Sequence, residues 1–355
     1  MRKWNLLSVC ALCFLMWMVS CVRRPLVDPD GATILRVHLV TEGINNVTCN
    51  IYNEDIKRPE ITSDMLRMFL YEKEGYPLIA QKFMSDKTVD ERGYETLGVR
   101  LSIPEGLYGL LAYNFDVDAT YVTEEGNFHT ARAYTHEIPA SLYSRFGSRS
   151  ESFDHVYYQP EHVMVAAEPA LRVEASHRDQ VVEMNAHTVI QSYYIQIRIL
   201  GHENLASNAA PQAILSGLSQ SVLLKDGTSV MEPASIYFEL QRGKDTKSSE
   251  KPELVLCALF NTFGRIDQLP SELQVTFSAL GRSGKTHQKV VDMVPVFKTE
   301  DARLRNWLLI EEVWEIPSDS DGSDEGGTGG GSGTGGFGPM VDDWDDIEVT
   351  IPIKK

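Results

Sequence analysis

The chain has 355 residues, and its 50 Asp and Glu outnumber 33 Lys and Arg to leave a formal charge of −17. Nucleic-acid phosphates need a basic footprint, and so does electrostatic attachment to anionic lipid, so this balance argues against both. The length leaves room for two cores of ordinary size.

Residues 1–20 read as a signal peptide. Arg2 and Lys3 form its basic end, and Leu6 to Val19 is an apolar stretch too short for a membrane span. It ends at Met18-Val19-Ser20-Cys21, which resembles a bacterial lipobox and makes Cys21 the expected lipidation site. The acyl anchor is then the expected contact with the membrane. Cys10 and Cys13 form a CxxC inside the leader, so they are neither a redox nor a zinc motif. Residues 21–31, with Pro25 and Pro29, read as a lipidated tether.

From residue 32 onward the chain is a series of short alternating runs divided by turn residues. Ile34–Val40, Met65–Tyr71, Leu97–Ile103 and Tyr108–Phe115 read as strands, with Pro104-Glu105-Gly106 turning between the last two. His155–Ala167 closes this set, and Glu168-Pro169 marks a change of segment. A second set holds Val181–Met184, Ser192–Leu200, Ser221–Leu224, Ser235–Leu240, Leu254–Phe260, Leu273–Leu280 and Lys289–Val296. In Ser192–Leu200 the residues Tyr193, Ile195, Ile197 and Ile199 share one face. Arg303–Trp314 fits either a helix, with Leu304, Trp307, Leu308 and Val313 as its stripe, or a bent strand. The pattern predicts an all-β protein of two tandem β-sandwiches, at residues 32–170 and 171–317.

No run of residues assembles into a catalytic or metal site. Gly281-Arg-Ser-Gly-Lys-Thr286 looks like the end of a phosphate loop, but Ala279 stands where the motif needs glycine and no helix follows, so a hairpin turn is expected. Gly217-Leu-Ser-Gln-Ser221 resembles a nucleophile elbow without its second glycine; Leu215 and Leu218 are expected to line a core beside an exposed serine. His129 and His136 lack a ligand-bearing helix. Asp342, Asp343, Asp345 and Asp346 do not match a calcium loop and read as a solvated charge run. Tyr113, Tyr121, Phe128 and Tyr134 read as core or cross-strand aromatics, with a sugar-binding face as the other option. Cys49 and Cys257 sit in apolar runs, as two buried thiols or as a disulfide. The expectation is a non-enzymatic protein without cofactor or metal.

Residues 318–338 are a Gly/Ser/Asp linker, with a root-mean-square reach of about 25 Å and roughly 70 Å when extended. Residues 339–355 end in an alternation that puts Ile347, Val349, Ile351 and Ile353 on one face. Pro352 cannot donate to a ladder, so that position must face solvent or a gap.

The whole resembles the fimbrillin-like lipoproteins of Bacteroidales, the subunits and anchors of type V pili. The resemblance rests on the lipobox at Cys21, the paired β domains and the stretch Ala213-Ile-Leu-Ser-Gly-Leu-Ser-Gln-Ser-Val222. It rests also on Phe260-Asn-Thr-Phe-Gly264 and on the Gly-rich tail running into Val341-Asp-Asp-Trp344. It implies transthyretin-like sandwiches, joined between subunits by strand donation, with Ile347, Val349, Ile351 and Ile353 as the candidate donor-strand contacts; folding back in cis as an edge strand is the other reading of that segment. Burying four such side chains supplies roughly 6–12 kcal/mol gross, before ordering costs.

Shaft subunits of the family lose a first strand to an arginine-specific protease. Here Arg36 lies inside the first strand, Arg58 precedes Pro59, and Arg23 and Arg24 precede any strand. That favours an anchor or accessory subunit at the outer membrane, with other fimbrial subunits as partners. The residues after Cys21 are Val-Arg-Arg-Pro, without the acidic cluster of many surface lipoproteins, so the leaflet stays open. The rival reading is a glycan-binding surface lipoprotein serving polysaccharide uptake, which needs an exposed aromatic platform.

Overall fold

In a computed structural model, the structure describes residues 33–40, 63–89, 95–115, 117–153, 155–175, 178–243 and 254–318. The expected leader, Cys21, the tether, Cys49, the linker and the terminal strand with Ile347, Val349, Ile351 and Ile353 lie outside these residues.

The first half supplies β1 (Thr33–Leu39), β2 (Leu66–Glu72), β3 (Leu78–Met84), β4 (Asp86–Val89), β5 (Glu95–Leu101) and β6 (Gly106–Asn114). Then come β7 (Thr120–Thr123), β8 (Arg132–Thr135), β9 (Val156–Tyr157), β10 (Met164–Val173) and β11 (Gln180–Thr188). Eight of them form one sheet in the order β3-β2-β6-β10-β11-β1-β5-β4. Leu35 and Val37 of β1 share a core with Leu66, Met68 and Leu70 of β2, Leu110 of β6 and Met164 of β10. Side chains from both ends of the sheet meet in this cluster, so the sheet rolls over one of its own faces.

The second half supplies β12 (Gln191–Leu200), β13 (Gln212–Ser219), β14 (Ser221–Leu223), β15 (Pro233–Glu239), β16 (Gln241–Arg242), β17 (Leu254–Thr262), β18 (Gln274–Leu280), β19 (Thr286–Asp292) and β20 (Trp307–Glu315). They build a four-stranded sheet, β16-β17-β12-β20, and a five-stranded sheet, β19-β18-β13-β15-β9. Tyr193, Ile195, Ile197 and Ile199 of β12 meet Ala213, Leu215, Phe238 and Phe277 of the facing sheet in one buried cluster. Phe238 stacks on Phe260, with ring centroids 4.5 Å apart. The inward face of β12 is the one its alternation dictates.

The strands do not partition at residue 170. β10 continues through Glu168-Pro169 by means of a bulge, and β11 pairs antiparallel with β10 and parallel with β1. The first sheet therefore runs to Thr188. The halves also exchange strands: β9 joins the five-stranded sheet, and β14 joins β7 and β8 in a three-stranded sheet. Beneath that small sheet Phe69, Tyr71 and Tyr113 pack with Phe128, Val222 and Phe263.

The Arg303–Trp314 run divides instead of choosing. It contributes to α2 (Glu300–Arg305), preceded by the short α1 (Val294–Phe297), and then to β20. Thr299 caps α2 by accepting from the Ala302 amide, and Glu300 and Asp301 fill its first turn. Asn306, left-handed at φ 55°, ends the helix and turns the chain into β20.

Candidate functional site

The most open apolar feature among the described residues is the β3 edge of the eight-stranded sheet. β3 pairs with β2 on one side, and it is the terminal strand in the sheet order. Strand alternation puts Ile79, Gln81 and Phe83 on the face that carries Arg67, Phe69 and Tyr113 farther in. That face is covered by the three-stranded sheet inward and uncovered outward. Ile79 is 50% exposed, Phe83 52% and Phe115 42%, with the Phe83 and Phe115 rings 5.6 Å apart. Met65, one step past the Leu66–Asn114 pair, extends the patch and is also exposed.

An edge strand bearing exposed rings is a template for another chain. Lys82 in mid-strand is a charge of the kind that limits indiscriminate pairing. Arg67 backs the patch: its guanidinium lies 5.0 Å from the Phe69 ring and 3.1 Å from Glu125 Oε1. Glu125 also accepts from the Tyr113 hydroxyl. Burial raises the Glu125 pKa, and Arg67 partly offsets this.

A second feature is the exit from β20, a strand parallel to β12 at the end of its sheet. The Ile316 amide donates to Leu200 O at 2.9 Å, and its carbonyl accepts from Asn204 Nδ2 at 3.0 Å. Gly201 makes this clamp possible: it has φ 72°, and a Cβ there would stand 2.3 Å from Ile316 O.

The residues singled out in the sequence fall as follows. Gly281–Thr286 closes the β18–β19 hairpin, with Gly281 N donating to Lys285 O. Leu215 and Leu218 are core residues, but the serine between Leu218 and Gln220 is not exposed. Ser219 is fully buried, its one hydroxyl proton shared between the Ser221 and Val230 carbonyls, which removes it from any nucleophilic role that needs solvent. Tyr113 and Phe128 are core, whereas Tyr121 and Tyr134 form a cross-strand pair with centroids 5.9 Å apart. His129 and His136 are exposed and packed against aromatic rings. Cys257 is a free, buried thiol whose pKa burial pushes up. Among the described residues no group of three or more His, Cys, Asp or Glu could hold a metal ion. Arg36 sits in the interior of the rolled sheet's strand order, since β1 is flanked by β11 and β5.

The alternation of the sequence had pointed to β2 and β6 but not to β3. Five of the seven β3 residues lie exposed, on both faces, so β3 shows no inward-outward period to read.

Fold and surface together define an all-β protein of interlocked sheets whose distinctive exposed features are strand edges and apolar rings. Residues 55–239 match the family model described as "Domain of unknown function (DUF5119)", and the chain belongs to that family. It is similar to the "Putative fimbrium anchoring subunit Fim4B" of Bacteroides ovatus, at 20% identity over 264 residues. That match covers 74% of this chain and 66% of the relative, just under two thirds of its length. Among solved structures, "a putative adhesin from Bacteroides ovatus" superposes with a TM-score of 0.54 at 16% identity, over 84% of this chain and 97% of the other. "The fimbrial anchor protein Mfa2 from Porphyromonas gingivalis" is matched at a TM-score of 0.44 and 15% identity, over 78% of this chain and 88% of the other. The resemblance to Bacteroidales fimbrial proteins drawn from the sequence thus meets matches of that kind, and the all-β fold is shared with the adhesin.

Proposed function

We propose that this chain is a non-enzymatic fimbrial anchor or accessory subunit, built of two transthyretin-like sandwiches and joined to other fimbrial subunits by strand complementation. It is held at the outer membrane by a lipid on Cys21. The observation that carries the reading is the pairing of a match to a fimbrium anchoring subunit with an open β3 edge flanked by exposed Phe83 and Phe115. Main-chain groups of an added strand would extend the ladder, and its alternate side chains would cover the rings. The interior placement of β1 supports an anchor or accessory role over a processed shaft role, because removing it would cut β5 and β4 off from the rest of the rolled sheet.

The reading is tested by crosslinking and mass spectrometry on intact producing cells. Wild type is compared with a chain ending at residue 338 and with Phe83→Asp. Fimbrial subunits crosslinked to the wild type and lost from either variant support it. A wild type crosslinked to no fimbrial subunit overturns it. Metabolic labelling with an alkyne fatty acid, lost in Cys21→Ala, tests the anchor.

A further inference from the structure

The outer face of the five-stranded sheet holds a cavity of about 570 Å³ that none of the features above uses. It opens where β13 parts from β18. Their pairing stops at Leu215–Val275, and Ser216-Gly217 then bulge out of register with β15 as well. Gly217, at φ 78°, lies so close to the next segment that a Cβ would sit 2.8 Å from the Leu273 backbone. That approach fixes the turn Pro270–Glu272 as one wall. The opposite wall is Phe153 and His155, at the end of the 3₁₀ segment Ala140–Ser152, and Glu137 Oε1 holds His155 Nδ1 at 2.7 Å.

The lining is hydroxylated, carries the one acid Glu272 among its described residues and is partly unsatisfied. Ser216 and Ser235 share a hydroxyl hydrogen bond of 2.9 Å on the floor. Beside them, the side chains of Ser271, Glu272, Gln274 and Thr276 line the space and make no hydrogen bond among the described residues. Thr276 is only 4% exposed, and its hydroxyl opens onto the cavity without a protein partner among the described residues. Among the described residues no Lys or Arg lines the walls, which leaves an anionic ligand without a counter-charge there. Glu272 is the sole acid among the described lining residues, too few for a cation site. The polar floor disfavours a lipid chain.

A ligand that fits offers many neutral hydroxyls and one apolar face. Its hydroxyls would meet Thr276, Gln274 and the Glu272 carboxylate, an acceptor able to bridge neighbouring hydroxyls, and its C–H face would meet Phe153. The volume lies within the range of about 300–1,000 Å³ common to small-molecule sites. We infer that this cavity binds one or two units of a neutral saccharide.

The test is saturation-transfer NMR and calorimetry on the full chain with galactose, mannose, N-acetylglucosamine and lactose, with glucuronate as the charged control. Thr276→Val keeps shape and removes one hydroxyl; Gln274→Ala alters an exposed side chain that no fold contact needs. Saturable binding of at least one neutral sugar, weakened about tenfold or more by each variant at unchanged melting temperature, is the expected result. The inference is overturned if no neutral sugar saturates, if glucuronate binds as well as the neutral sugars, or if binding ignores both variants. It is overturned likewise if a peptide of residues 339–355 occupies the cavity and the sugars do not. The expected result stands whether or not the chain assembles into fimbriae.

Discussion

His162 Nε2 lies 3.1 Å from Ser192 Oγ, which joins the segment entering β10 to the first turn of strand β12. Ser192 gives its own proton to Asn261 Oδ1 at 2.6 Å, so it accepts from the imidazole. His162 Nδ1 is then left to accept from Thr188 Oγ1 at 2.8 Å. The ring is neutral with its proton on Nε2, and both nitrogens are satisfied. Asn261 Nδ2 closes the network on Pro160 O, so the passage between the two halves of the chain is pinned by polar bonds inside a buried junction.

This pin predicts acid sensitivity. Burial lowers the His162 pKa from 6.5 to about 4. Between these values the unfolded chain takes up a proton that the folded chain refuses. His162 therefore has no effect on the pH dependence above about 6.5, and stability declines as pH falls from there toward 4, by up to about 3 kcal/mol. Urea unfolding of wild type and His162→Gln across this window checks it: the variant's stability should fall less on acidification, and an equal fall would place the origin elsewhere.

The bulge glycine at 217 carries a steric prediction. Gly217→Ala combines a left-handed backbone with a Cβ 2.8 Å from the Leu273 backbone, so it should cost about 2–3 kcal/mol. Thermal unfolding measures this directly. Gly126, with nothing within 4 Å of a built Cβ, serves as the tolerant comparison.

Cys257 should be inert in the native protein. It is fully buried, and its thiol pKa is pushed up by burial, which the hydrogen bond with Tyr194 only partly reverses. Iodoacetamide labelling mapped by mass spectrometry should find residue 257 unmodified in buffer and modified in guanidinium. Modification in both conditions would show that the four-stranded sheet opens readily.

At the β3 edge, stability and association should separate. Phe83 is half exposed, so Phe83→Asp should change folding stability by no more than about 0.5 kcal/mol. The same change places a charge on the patch and should abolish crosslinks that pass through it. Loss of folding instead would mean that the ring is a core element.

How much of this was legible in the sequence follows from burial. Where a strand has one face inside, as in β12 with Ile195, Ile197 and Ile199, alternation located both strand and core. The β18–β19 hairpin was readable from Gly281 and Gly284. The bulge in β10 hid its continuation, because Pro169 reads as a stop when a local bulge can absorb it. The exchange of β9 and β14 between the halves was not legible, since strands of two and three residues carry no period. The candidate cavity was equally silent. Its parts come from β13, β15, β18, the turn Pro270–Glu272 and the segment after residue 152, brought together by tertiary contact alone.

The geometry around β12 and β20 also sets how the protein responds to a pull. The first sheet feeds into β12 at its Gln191 end, and the chain leaves β20 at its far end, beyond the Ile316 clamp. Because the two strands run parallel, tension between these points acts along the ladder and loads its hydrogen bonds together in shear. Strands pulled apart from one end would instead lose their bonds singly. Traction that reaches the fold through Ser318 is thus met by these strands as one unit.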